Sequence, residues 1–303
     1  MDPFLGQLAA LATSVAWTIT SILFTLSGRK VGSEIVNRMR LLLAVIFVGI
    51  LHLILIGKIF PFDAEPFRFG LLALSGVIGY ILGDGFLFRA FLLIGTRISM
   101  MLMSLAPVFS VIFGVLIYHD TFTPKQLIAI VLVLGGVGLV VWDAKPPEST
   151  EEHPHDPRQR LIGILCGVGA GLGQAVGLLF SKMGVVGDYP TLSANMIRLV
   201  AATLGIWLIA AVRGHLRHTF TELNAHRDAL ATVAGGAFTG PTIGVWLSLI
   251  AVQLAPFGIA ATLMALPPVL LLPVGYFWFK EKIGVWAIVG TLAAIIGTAL
   301  LFL

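Results

Sequence analysis

The sequence predicts an all-α integral membrane protein: ten transmembrane helices in two inverted five-helix repeats around a central cavity. Three observations carry that expectation. Hydrophobic residues make up 58% of the chain and charged residues 11%, with a mean hydropathy of +1.00. Soluble domains average about 45–50% apolar and about 25% charged. Apolar runs near 20 residues long, enough to cross a bilayer, occur ten times along the chain. Finally, the second half of the chain repeats the first.

The repeat is clearest between Ile98 and Trp142. At a shift of 161, Ile98, Leu102, Met103, Leu105, Pro107, Val108, Gly114, Gly136 and Leu139 fall on Ile259, Leu263, Met264, Leu266, Pro268, Val269, Gly275, Gly297 and Leu300. Asp120 falls on Glu281, and Gly79, Gly83 and Ala90 fall on Gly240, Gly244 and Ala251. At a shift of 158, Asn37, Arg40, Leu41 and Ala44 meet Asn195, Arg198, Leu199 and Ala202. A repeat of this length is a structural unit and governs every later reading.

Taken in order, the spans are expected at 4–27, 34–56, 68–92, 97–118, 124–142, 160–182, 190–212, 229–252, 257–279 and 283–303. The first run follows Met1, Asp2 and Pro3 without a basic n-region and is too long for a signal-peptide core, so it is expected to remain as a span. The first repeat occupies 1–142 and the second 160–303. Between them, 143–159 is polar, acidic and proline-rich, as expected of a solvated linker. His153 and His155 in it are expected to face solvent. Five spans per repeat is an odd number, so the second copy must enter the membrane upside down. Inverted repeats of this kind mark secondary transporters, with the site near the midplane between the halves.

Eleven of the Lys and Arg residues fall in odd-numbered connections and four, Lys58, Arg68, Lys125 and Lys182, in even-numbered ones. The positive-inside tendency then places the odd connections in the cytoplasm and both termini outside. The net charge of +4 is accordingly read as a topology signal, and nucleic acid is not an expected partner. Cys166 is the lone cysteine, which excludes an intramolecular disulfide and a multi-cysteine metal site. Neither metal nor cofactor is expected.

The sequence contains no H-E-x-x-H, G-x-S-x-G or P-loop motif. Gly83-Asp84-Gly85 is similar to the motif of intramembrane aspartyl proteases, but Ile81 stands where the first glycine is needed. The expectation is no enzyme activity. Asp84 is the most informative single residue. It lies roughly 12 Å along the third span from its Leu92 end, a depth at which a carboxylate is costly and needs a cavity or a partner. It either binds a proton or a substrate amine, or is a structural acid paired to an arginine. Arg89 is about 140° around the same helix, a poor partner, and Val245 occupies the equivalent position in the second repeat.

Asn37 with Arg40, and Asn195 with Arg198, each share a helix face at i,i+3 spacing. They are expected to be symmetric gates or substrate contacts, or else arginines holding helix ends while each asparagine bonds nearby backbone. Asp120 and Glu281 are expected to fix the hairpins before the fifth and tenth spans. Breaks at matching places, Gly79 and Gly83 with Gly240, Pro241 and Gly244, and Pro107 with Pro268, point to the cavity. Gly163, Gly167 and Gly171 read as a close-packing stripe. Trp142, Trp278 and Trp286 fit interfacial belts. Trp17 and Tyr80 lie mid-span, and Gln174 falls opposite Trp17 at a shift of 157. With Asp84, Pro241 and Trp246 they are the candidate cavity residues.

These residues resemble the drug/metabolite transporter superfamily, specifically its bacterial EamA type. The resemblance rests on Ser104-Leu105-Ala106-Pro107-Val108 running to His119-Asp120, on Leu266-Pro267-Pro268-Val269 running to Lys280-Glu281, and on Gly83-Asp84 followed by Phe88-Arg89-Ala90. His119 and Lys280 stand where the family usually has glycine. The resemblance implies a monomer in the inner (plasma) membrane, with a cavity lined mainly by spans one, three, four, six, eight and nine. It implies export or exchange of small metabolites such as amino acids, and termini in the cytosol, opposite to the charge count. The expected partners are a small-molecule substrate and the lipid bilayer. The alternative function is a membrane sensor or assembly partner that has the transporter fold and moves nothing.

Overall fold

The computed structural model describes residues 3–143, 157–277 and 284–302. Most of the linker with His153 and His155, the Lys280–Glu281 turn and Trp278 lie outside the described residues. Ten described helices are long and apolar enough to cross a membrane. They are Pro3–Val31, Ser33–Ile56, Pro66–Ile94, Ile98–Tyr118, Pro124–Asp143, Pro157–Gly184, Thr191–Val212, Arg227–Leu254, Phe257–Val274 and Val285–Phe302. Each matches an expected span to within a few residues, because a 20-residue apolar run leaves the backbone no other way to satisfy its hydrogen bonds in lipid. Leu204 and Leu208 on the seventh span are 67% and 65% exposed, so its outer face is built for acyl chains.

Connections are tight. Gly32 alone separates the first two helices, with φ of 79°, a left-handed conformation that only glycine adopts without strain. Helical backbone continues from Asp84 to Met103 through the turn between the third and fourth spans. Between the seventh and eighth spans a short helix, Leu216–Ala225, intervenes.

The expected breaks take two different forms. The third and eighth spans are not interrupted. Each carries a π-helical segment, Val77–Gly83 and Phe238–Gly244, and these ranges differ by the repeat shift of 161. Glycine-rich sequence here widens the helix without ending it. At Pro107 and Pro268 the helix does stop and restart. The fourth span stops at Met103 and restarts at Ala106, and the ninth stops at Met264 and restarts at Pro267. Each proline stands in the first turn of the restarted piece, where its missing N–H costs no hydrogen bond.

The halves are interleaved. The main contacts pair the fifth span with the tenth, the second with the seventh, the fourth with the ninth, the first with the eighth and the third with the sixth. The inversion makes these pairs two-fold related. Glycines set the closest approaches. A Cβ on Gly136 would lie 2.4 Å from the Gly290 carbonyl, and one on Gly290 would lie 2.5 Å from the Gly136 carbonyl. The Gly163–Gly171 stripe takes Ile94 and Leu102 against its surface. Asp120 departs from expectation. Its Oδ2 accepts the Gly258 N–H at 3.3 Å, at the start of the ninth span, so it caps a helix of the other half. The fifth span is capped instead by Thr123 and Gln126, which exchange bonds at 3.0 and 3.3 Å. That is the reciprocal capping pattern.

Gly136→Leu is expected to lower stability by about 1–3 kcal/mol through overpacking. Gly135→Leu, whose added Cβ meets nothing within 4 Å, is expected to change it by less than about 0.5 kcal/mol. Thermal unfolding of both purified variants checks the contrast, and equal shifts would remove the glycine seam as the reason for the fifth–tenth contact.

Candidate functional site

The two π-helical segments place the candidate residues. A π-turn leaves carbonyls without their usual partner, and at membrane depth protein must satisfy them. In the third span the Gln174 amide from the sixth span donates to the Gly79 carbonyl at 3.1 Å. In the eighth span Asn195 from the seventh span donates to the carbonyls of Pro241 and Thr242 at 3.0 and 3.4 Å. Pro241 has no N–H to offer the preceding turn. There the Thr20 hydroxyl from the first span reaches the Gly236 carbonyl at 3.4 Å. Glycines make room for these visitors. A Cβ on Gly83 would lie 3.3 Å from the Gln174 amide nitrogen, one on Gly240 2.6 Å from Thr20, and one on Gly244 2.8 Å from the Trp17 ring. Trp17 and Gln174 thus occupy equivalent places, as their shift of 157 predicts.

Asp84 follows the first π-segment directly. It is buried, and its Oδ2 forms an ion pair with the Arg40 guanidinium from the second span. Its Oδ1 accepts the Gln174 amide at 3.2 Å. Arg40 also donates from Nε to Asn37 Oδ1 at 2.7 Å. Four candidates therefore form one chain of contacts, Asn37–Arg40–Asp84–Gln174, and Gln174 ties the first half to the second. The arginine that meets Asp84 comes from another span. Arg89 is exposed.

The second half does not copy this arrangement. Arg198 is 6% exposed, and its Nε and Nη1 have no hydrogen-bond partner. Its guanidinium carbon lies 5.6 Å from the centroid of the Tyr80 ring, and the buried Tyr80 hydroxyl faces the same guanidinium without a well-formed hydrogen bond. Asn195 turns to the π-segment backbone, away from the role that Asn37 plays. Val245, where the repeat would put a second aspartate, is buried. Trp246 is half-buried and donates to the Thr191 hydroxyl at 3.0 Å.

A cavity of about 300 Å³ opens between the second, third and seventh spans. Its lining includes Glu34, Arg38, Arg213 and His215, near the ends of the second and seventh spans, together with Asn37 and Tyr80. Trp17, Asp84, Gln174, Pro241 and Trp246 do not line this cavity. Arg38 and His215 were not among the candidates. Arg38 is buried and lies 3.8 Å from Glu34, and its position next to Asn37 in the second span was the available signal. Among the described residues, no cluster of three or more His, Cys, Asp or Glu side chains is placed to hold a metal.

Asp84→Asn and Arg40→Gln each leave one buried charge unpaired, and each is expected to cost about 3–5 kcal/mol. The double variant should cost clearly less than the sum. A double-mutant cycle in detergent measures this coupling, and strictly additive losses would count against a functioning pair.

Comparison with known proteins gives three findings. The EamA-like transporter family matches the chain over residues 4–142 and 161–303. A solved crystal structure aligns over 98% of this chain and 96% of its own, at 16% identity and a TM-score of 0.74. At that identity the likeness speaks to the fold alone. No curated protein matches the chain.

Proposed function

The chain belongs to the EamA-like transporter family, part of the drug/metabolite transporter superfamily, and from that premise we propose that it is a secondary transporter of small metabolites such as amino acids. In this reading it is an exporter or exchanger in the inner (plasma) membrane and works by alternating access between its inverted halves. One observation carries the reading: the π-helical segments at Val77–Gly83 and Phe238–Gly244. Irregular backbone at membrane depth persists only where protein or a water-filled cavity surrounds it. Matched irregularities in inverted repeats are where secondary transporters build their sites. Each segment here is contacted by side chains of the opposite half, so a shift of one half against the other changes both surroundings together.

The driving force is a gradient, since the sequence holds no nucleotide-binding motif. Asp84 is the carboxylate we assign to proton coupling. The charged group facing it is Arg40, from the second span, and Gln174 faces it as a neutral donor from the sixth. Adding a proton to Asp84 removes the charge that holds Arg40 and weakens the tie through Gln174 to the second half. A lower pH on the side that reaches Asp84 therefore loosens one arrangement of the halves.

Purified protein in liposomes is expected to move solutes from a broad metabolite panel down an imposed gradient without ATP. No flux from verified, folded protein would sink the transporter reading. Asp84→Asn should flatten the dependence of flux on pH, and an unchanged pH profile would end the coupling role of Asp84.

A further inference from the structure

The two halves differ most at one place. Around Arg40 the structure gathers Asp84, Gln174 and Asn37. The repeat places Val245, Trp17 and Asn195 at the equivalent positions around Arg198. The arginine is kept there, as Arg198, and its acid is lost. Among the described residues, no carboxylate lies within ion-pair distance of Arg198. A guanidinium does not give up its proton in a protein, so Arg198 is a permanent positive charge inside a membrane span. An intramembrane charge without a counter-ion is expensive and is the usual sign of a site.

The surroundings are rich in donors. Arg198 Nε and Nη1 and the buried hydroxyls of Tyr80 and Thr242 make no well-formed hydrogen bond, although Tyr80 and Arg198 face each other. Asn195 stands one turn before Arg198 on the same face and is bonded to the carbonyls of Pro241 and Thr242, so Thr242 belongs to the same neighbourhood. Asn195 Oδ1 is unbonded too, and it accepts only, whereas the two hydroxyls can donate or accept. Tyr80 joins this cluster to the cavity between the second, third and seventh spans, whose wall it helps to form while its hydroxyl stays buried. It lies within electrostatic range of Arg198, Arg40 and Asp84. Counting that group gives two positive charges and one negative.

We propose that Arg198 and the Tyr80 hydroxyl recognise the anionic group, a carboxylate or a phosphate, of a small organic substrate. The substrate supplies to Arg198 the charge that Asp84 supplies to Arg40. The planar guanidinium fork matches either oxyanion through paired N–H donors, and the phenol adds a third donor. Ile81, Ile206 and Ile209, which line the cavity beside Tyr80, give the rest of the substrate an apolar surround. A cation finds no free acid here, because Arg40 holds Asp84. The inference rests on the transporter reading and names its substrate class.

The test uses purified full-length protein, in detergent for binding and in liposomes for counterflow. The probes are benzoate, pyruvate and glycerol 3-phosphate as anions, with phenylalanine as a zwitterion. Benzamide, glycerol and benzylamine are the matched neutral and cationic compounds. At least one carboxylate or phosphate probe should raise the apparent melting temperature, as a ligand bound to the folded state does. The matched amide, alcohol and amine should not. Stabilisation by phenylalanine and not benzoate identifies the carboxylate as that of an amino acid, and the reverse identifies a simple acid.

Arg198→Gln should weaken that binding roughly tenfold or more, as expected when the charged partner of an ion is removed. Val245→Asp is the sharper variant. It restores the acid that the first half has, so it should keep or raise thermal stability while abolishing the response to anions. Three results overturn the proposal: no anionic probe binds, only neutral or cationic probes bind, or Val245→Asp binds anions as well as the wild type. The two readings fail separately. Flux of benzamide or benzylamine alone keeps the transporter and removes the anion site. Anion binding that Arg198→Gln abolishes, with no flux of any probe, keeps the site and removes transport.

Discussion

The structure depends on close approach between helices of opposite halves. Lipid tails are as apolar as leucine, so burying leucine against leucine gains little inside a bilayer, and helices associate through van der Waals packing and a few polar links. The chain meets that constraint by placing glycine where backbones must meet. Gly136 and Gly290 join the fifth and tenth spans, and Gly173 and Gly177 join the sixth span to the π-segment of the third. Because these contacts run between halves, neither half is a closed unit. Each five-span repeat completes the other.

The same constraint explains where polar groups sit. A π-turn exposes carbonyls that lipid cannot satisfy, and each π-segment is served by amide or hydroxyl groups from neighbouring spans. Gln174 serves the third span, and Asn195 and Thr20 serve the eighth. These side chains are half-buried or buried and point across helix boundaries, so their bonds hold irregular backbone in place. The arrangement around Asp84 adds charge to that scheme. Its two oxygens address two different spans, one from each half.

Much of this was legible in the sequence, because bilayer thickness converts apolar run length directly into structure. The ten spans, the inversion and the equivalence of Trp17 with Gln174 follow from hydropathy and from a shifted self-comparison. The π-segments did not. Glycine and proline at 79–85 and 240–244 signal irregularity, but whether a helix widens or stops depends on which neighbours take the freed carbonyls. The Arg40 and Asp84 contact was hidden for a related reason. Residues 44 apart in sequence meet only once the packing of the second and third spans is known, and a search along one helix finds only Arg89. Asp120 was read as a local cap for the nearest helix. It serves a helix start 138 residues away, which no local rule reaches.

The replacement of Asp84 and Gln174 by Val245 and Trp17 has a consequence for the resting state. Two identical inverted repeats exchanging conformations would leave the inward-facing and outward-facing forms equal in energy, and their populations balanced. Here one half is fastened by a charged link and its mate is lined by an aliphatic and an indole. Under the proposed alternating access, the two forms then differ in free energy even with the cavity empty. A ligand acts on such an equilibrium only through its unequal affinity for the two forms. Under that reading the chain starts from a bias written into two substitutions between its own halves.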